Sequence, residues 1–173
     1  MKHAVPVLLF ATLLSAAEPQ PPLPSPLVLR SGTQRILIPQ RNAEGPHNFY
    51  DDSCSGGIES SVLHAVVRRG DTLYVVFTCE GWSRGHSSPR GRCGSGWERQ
   101  INWMAIRGGI VLDHRQRDLD SCWRDAGGGI DGWRGTKLLW STDERDGTYT
   151  CFFDSAFPEA AIQIQDFTPH PTP

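Results

Sequence analysis

The chain has 173 residues, 38% of them hydrophobic and 21% charged, with 18 Gly, 13 Pro, 5 Cys and 6 Trp. That length suits one domain with a real core and excludes a TIM barrel, a full propeller and most multi-domain enzymes. The apolar and aromatic content excludes a disordered chain. With a formal charge of −2, composition gives no case for a nucleic-acid partner.

The first segment reads as an address. Met1-Lys2-His3 is a short basic start, residues 4–14 are an apolar run, and Ser15-Ala16-Ala17 supplies small residues before a cut after Ala17. This is the tripartite pattern of a secretory signal peptide over residues 1–17. The apolar run is shorter than the ~20 residues of a membrane-spanning helix, so no integral membrane segment is expected after cleavage. Residues 18–26 (EPQPPLPSP) are too rich in proline to continue a helix and read as an extended tether. The expected location is secreted or periplasmic. In such a space disulfides are the default state of cysteine.

Residues 27–30 and 35–38 are short strand candidates. The next feature is Asp51-Asp52-Ser53-Cys54-Ser55-Gly56-Gly57. Cys-Ser-Gly after acidic residues, with Gly70-Asp71 and Gly85-His86 further on, resembles the nucleophile segment of the NlpC/P60 cysteine peptidases. The resemblance implies Cys54 as nucleophile at a helix N-terminus, with His64 or His86 as base. A turn followed by an ordinary disulfide cysteine accounts for the same residues.

Residues 61–68 (SVLHAVVR) and 72–79 (TLYVVFTC) are β-branched and aromatic runs joined by Arg69-Gly70-Asp71, a hairpin whose glycine supplies a positive φ. His64 sits mid-strand among apolar residues and reads equally as a structural histidine. Beyond Cys79 comes a Gly/Ser/Arg-rich stretch that ends at Cys93. A Cys79–Cys93 bridge would pin that loop, worth about 3 kcal/mol by chain entropy. Cys122 with Cys151 is the second expected pair by elimination, which leaves Cys54 over. No CxxC or CxxxxH spacing marks a zinc site.

All six Trp fall between positions 82 and 140 and are interleaved with arginines. Trp and Arg dominate interface energetics, and indole faces suit sugar rings or cations. Trp82, Arg84, Arg90, Arg92, Trp97 and Arg99 therefore form the candidate binding surface. Its local excess of arginine matches an anionic glycan or an acidic protein patch. Residues 97–106 alternate, with Trp97, Arg99, Ile101, Trp103 and Ala105 on one face and Glu98, Gln100, Asn102, Met104 and Ile106 on the other. Trp103 and Trp140 read as core, whereas Trp82 and Trp97 lie at loop margins.

After a turn at Arg107-Gly108-Gly109 a short strand covers 110–113. His114 with Asp113, Asp118 and Asp120 could ligate a divalent ion but equally forms a solvated acidic loop. The stretch from Asp125 to Gly132 resembles one unit of the RTX calcium repeat, with Asp125 and Asp131 as weak candidate metal ligands. A second copy is absent, and such units need stacked neighbours. Residues 136–142 and 148–153 form a third hairpin. The turn between them loosely resembles the Asp-box of sialidases, although Asx-type bracing explains it without a ligand. Residues 161–167 alternate once more, and residues 168–173 read as a frayed, disordered tail.

Together these elements predict one all-β domain over 27–167, an antiparallel sandwich or barrel of about eight short strands stapled by disulfides. The expected function is a binding or interaction module for a surface glycan or a protein partner, with no cofactor. The alternatives are a cell-wall cysteine hydrolase using Cys54 and a structural envelope protein without a ligand site.

Overall fold

The computed structural model describes residues 25–31, 33–49, 58–82, 97–122 and 125–171. Its frame is a run of long hairpins. β5 (Ser60–Arg69) and β6 (Thr72–Trp82) pair antiparallel, and Gly70 makes their tight turn at φ 58°, a conformation that costs glycine nothing. β7 (Trp97–Arg107) and β8 (Ile110–Ser121) follow, with Gly108 and Gly109 both at positive φ in the turn. β9 (Gly127–Arg134), β10 (Lys137–Glu144) and β11 (Gly147–Asp154) continue the up-and-down path. A 3-10 turn (Pro158–Ala160) then leads into β12 (Gln163–Pro169). At the N-terminal side lie β1 (Leu27–Ser31), β2 (Gln34–Ile38) and the two-residue β3 (Arg41–Asn42) and β4 (Gly45–Pro46).

Three sheets result among the described residues. One has six strands in the order β4-β3-β8-β7-β6-β5, one has four in the order β12-β11-β10-β9, and β1 with β2 makes a two-stranded hairpin. Pairing is antiparallel except for the contact of β3 with β8. The chain passes from the larger sheet to the smaller one through a reciprocal bridge. Ser121 donates its N–H to the Ala126 carbonyl at 2.9 Å, and Ala126 donates back at 3.0 Å.

Period-two alternation gives the six-stranded sheet two apolar faces. On one face Leu63, Val75, Phe77, Met104 and Val111 pack against Leu27, Leu29 and Ile38 of the β1–β2 hairpin. On the other, Ala65, Val76, Ile101, Trp103 and Leu119 meet Leu138, Trp140 and Phe153 of the four-stranded sheet. The Trp103 indole N–H is satisfied by the Pro158 carbonyl at 2.9 Å, as a buried donor requires. The chain is all-β as its patterning predicts. No helix among the described residues is long and apolar enough to cross a membrane.

Several expectations are corrected. Cys79 and Cys151 are both buried reduced thiols, so neither the Cys79–Cys93 nor the Cys122–Cys151 bridge forms. Alternation aims Cys79 at the β1–β2 core and Cys151 at the opposite core. Among the described residues no two cysteines are joined. The Gly-rich stretch after Asp125 is strand β9 rather than a loop, and β8 runs on through the acidic residues to Ser121. The tail is ordered further than expected. Thr168 and Pro169 complete β12, and His170 donates its backbone N–H to the Asp146 carbonyl at 3.1 Å. Of the signal and tether expected at 1–17 and 18–26, residues 1–24 lie outside the described residues.

Candidate functional site

The cross-strand register of β6, β7 and β8 assembles one cluster at the Trp97 end of the sheet. Trp82 lies opposite Trp97 and Glu80 opposite Arg99, while Asp120 is the partner of Arg99 on its other side. Alternation puts Trp97 and Arg99 on the face that, further along β7, carries Ile101, Trp103 and Ala105 into the core. The Trp82 and Trp97 rings stack at 4.4 Å between centroids and 31° between planes. They nevertheless remain 40% and 43% exposed. Beside them Glu80, Trp97, Arg99 and Asp120 line an open cavity of about 280 Å³.

The polar groups here are unequally engaged. Arg99 Nη2 donates to the Gly128 carbonyl at 2.7 Å, and Nη1 lies 3.9 Å from Glu80 Oε1. Its Nε is buried and makes no hydrogen bond among the described residues. Glu80 Oε2 also accepts from the Ser60 hydroxyl at 3.2 Å. The Asp120 side chain has neither a hydrogen bond nor an ion pair among the described residues. Gly128 can reach Arg99 because β9 lies tightly on β10. A Cβ at Gly128 would collide with the Ser141 carbonyl and stand 2.7 Å from the Thr142 Cα.

The opposite face of β7 holds a buried polar seam. Gln100 Nε2 donates to Asp118 Oδ1 at 2.6 Å. Asn102 Nδ2 donates to Cys79 Sγ at 3.4 Å, and Asn102 Oδ1 lies 2.7 Å from His114 Nε2. His47, Phe49 and His114 pack ring to ring, at 4.4 and 5.7 Å between successive centroids. They border a second cavity of about 280 Å³ shared with Asn42, Val111, Leu112 and Asp113. Glu98, also buried, continues the seam. Such networks fix register, since a one-residue slip would bury these groups unsatisfied.

Of the residues singled out from sequence, Trp82, Trp97 and Arg99 come together in the cleft. Arg84, Arg90 and Arg92 lie outside the described residues, as do Cys54, His86 and Cys93. His64 lies 3.0 Å from the Thr78 hydroxyl through Nε2, and burial pushes its pKa below the usual imidazole value. Asp125 occupies a turn at φ 55° and Asp131 lies in β9. Among the described residues no three His, Cys, Asp or Glu side chains gather as a metal site. The acidic cluster read around His114 is dispersed along β8. Asp113 pairs with Arg115 at 3.2 Å, Asp118 joins the seam, and Asp120 lines the cleft.

Asp120, read from sequence only as a possible metal ligand near His114, lies beside Arg99 instead. Glu80, a carboxylate within reach of Arg99 along the chain, is its partner across the β6–β7 pairing. Compared with known proteins, the chain matches no family model, no curated protein and no solved structure.

Proposed function

We propose that this chain is an exported β-domain that works as a binding module, taking a surface glycan or a protein partner in the cleft of Trp82, Trp97, Glu80, Arg99 and Asp120. One observation carries the reading. Two stacked indoles stay about two-fifths exposed beside a polar-lined cavity, although the same face of β7 buries Trp103 almost completely. Large aromatics left at a surface beside fixed polar groups are the usual anchors of recognition. The signal-like residues 1–17 support the exported location.

The test compares the wild-type chain with Trp82→Ala and Trp97→Ala on a glycan array and on intact cell surfaces. Each variant should lose about tenfold or more in binding while unfolding near the wild-type temperature. Wild-type binding by both variants removes the cleft as the recognition site. For the location, mass spectrometry of the exported chain should find Glu18 as the first residue. Retention of residues 1–17 would refute it.

A further inference from the structure

We infer that the outward face of the β1–β2 hairpin docks on phosphate-bearing lipid, through a pair of arginines that clamps the phosphate and a pair of aliphatic side chains beside it. The inference is independent of the cleft at Trp97.

The register fixes the two faces of the hairpin. Directly opposed residues of an antiparallel pair share a face. Leu27 with Ile38 and Leu29 with Ile36 turn inward, and Leu27, Leu29 and Ile38 are buried against the six-stranded sheet. The alternate pairs, Val28 with Leu37 and Arg30 with Arg35, therefore turn outward. Leu37 is 51% exposed, both arginines are exposed and Val28 is half-buried.

Like charges directly opposite one another weaken a sheet, and a two-stranded hairpin is only marginally stable by itself. Several other arginines of this molecule are engaged. Arg69 donates to the Ala156 carbonyl at 3.0 Å, Arg115 pairs with Asp113 at 3.2 Å and Arg117 with Glu144 at 3.4 Å. Arg30 and Arg35 have no hydrogen bond, ion pair or ring contact among the described residues.

Opposed side chains start about 5 Å apart, so both planar forks can close on the oxygens of one phosphate. A phosphate held there replaces the repulsion with charge-assisted hydrogen bonds. The Val28–Leu37 pair lies one step along the strands, about 7 Å away on the same face. A bare oxyanion leaves that aliphatic surface in water. A phospholipid matches both pairs, with its headgroup on the arginines and its upper acyl carbons on Leu37.

The test sediments the exported chain with phosphatidylcholine vesicles, with and without a minor share of phosphatidylglycerol, at low salt. Binding should be about tenfold tighter where phosphatidylglycerol is present, and inorganic phosphate at the same phosphate concentration should compete only weakly. Arg30→Lys and Arg35→Lys keep the charge but lose the fork, and each should weaken binding about threefold or more. Leu37→Ser should also weaken it, because less apolar surface enters the bilayer boundary. The double variant Arg30→Gln with Arg35→Gln should bind no better than wild type binds pure phosphatidylcholine. It should melt no lower than the wild type, since a like-charge pair is removed.

Equal affinity for the two vesicles, or wild-type binding by the double Gln variant, overturns the inference. Wild-type binding by both Lys variants removes the clamp and leaves diffuse charge attraction in its place. Complete displacement by inorganic phosphate removes the lipid and leaves an oxyanion site. A lowered melting temperature in the double Gln variant would make the arginine pair a structural part of the hairpin, which also overturns it.

Discussion

Two pairs of tryptophans meet opposite fates in this molecule. Trp103 and Trp140 are 3% and 0% exposed, while Trp82 and Trp97 are 40% and 43% exposed. Trp97 and Trp103 even share one strand and one face of it. The difference lies in what stands across from them. Around Trp103 the four-stranded sheet supplies Leu138, Trp140 and Phe153. Trp82 and Trp97 stand at the last position of β6 and the first of β7, beyond the residues that the four-stranded sheet covers. Burial along a strand face is thus set by how far the opposing layer reaches and not by residue type alone.

The contrast can be broken experimentally. The largest effect belongs to Trp140→Ala, which empties a fully buried site and should cost about 3–5 kcal/mol in a denaturant titration. A much smaller loss would mean that the core between the sheets is loosely packed. Next comes Gly128→Ala, where backbone on β10 blocks the new methyl. It should cost about 1–3 kcal/mol and also disturb the Arg99 contact. Gly127→Ala and Gly129→Ala meet nothing within 4 Å and should cost less than about 1 kcal/mol.

The third effect is a pH dependence. Burial holds the His64 imidazole below its ordinary pKa, so the unfolded chain takes up that proton first as the pH falls. Its contribution is fully present above about pH 6.5 and is lost progressively below that value. Stability should fall between pH 7.5 and 5.5 in the wild type, and less steeply in His64→Gln. Asp143 and Asp154 have lowered pKa values, through hydrogen bonds to Thr148 and His170 and to Thr136 and Ala156 respectively. Their losses belong to the lower carboxylate range. Parallel slopes in both proteins would show that His64 is not the group responsible. The smallest effect is that of Trp82→Ala, a change within about 0.5 kcal/mol. If it unfolds the protein as Trp140→Ala does, the exposed pair is structural and the contrast collapses.

Legibility in the sequence followed the same line between local pattern and opposing layer. The β5–β6 hairpin was readable because β-branched runs flank Gly70, and β7 because its alternation is nearly unbroken. The far half of β8 was not. Its inward positions form a polar seam, with Asp118 bonded to Gln100, so no apolar alternation marks the strand. β9 was hidden by glycines that propensity assigns to loops, of which Gly128 is the one that the close approach to β10 requires. Trp82, Trp97 and Arg99 could be named from residue type alone. Asp120 was legible only as an acidic neighbour of His114, because its place beside Arg99 depends on the β7–β8 register. The cysteines misled because spacing along the chain says nothing about which face a thiol points to.

That last point leaves the molecule with two internal clocks. Cys79 sits in the core beneath the β1–β2 hairpin and Cys151 in the core between the two larger sheets. Burial pushes the Cys151 thiol up in pKa, which lowers its reactive thiolate fraction. A bulky thiol reagent reaches either sulfur only when that side opens, so each labelling rate reports the excursions of its own half. Equal opening free energies would mean that the two halves breathe as one cooperative unit. Unequal ones would reveal which half loosens first, with no probe added to the chain.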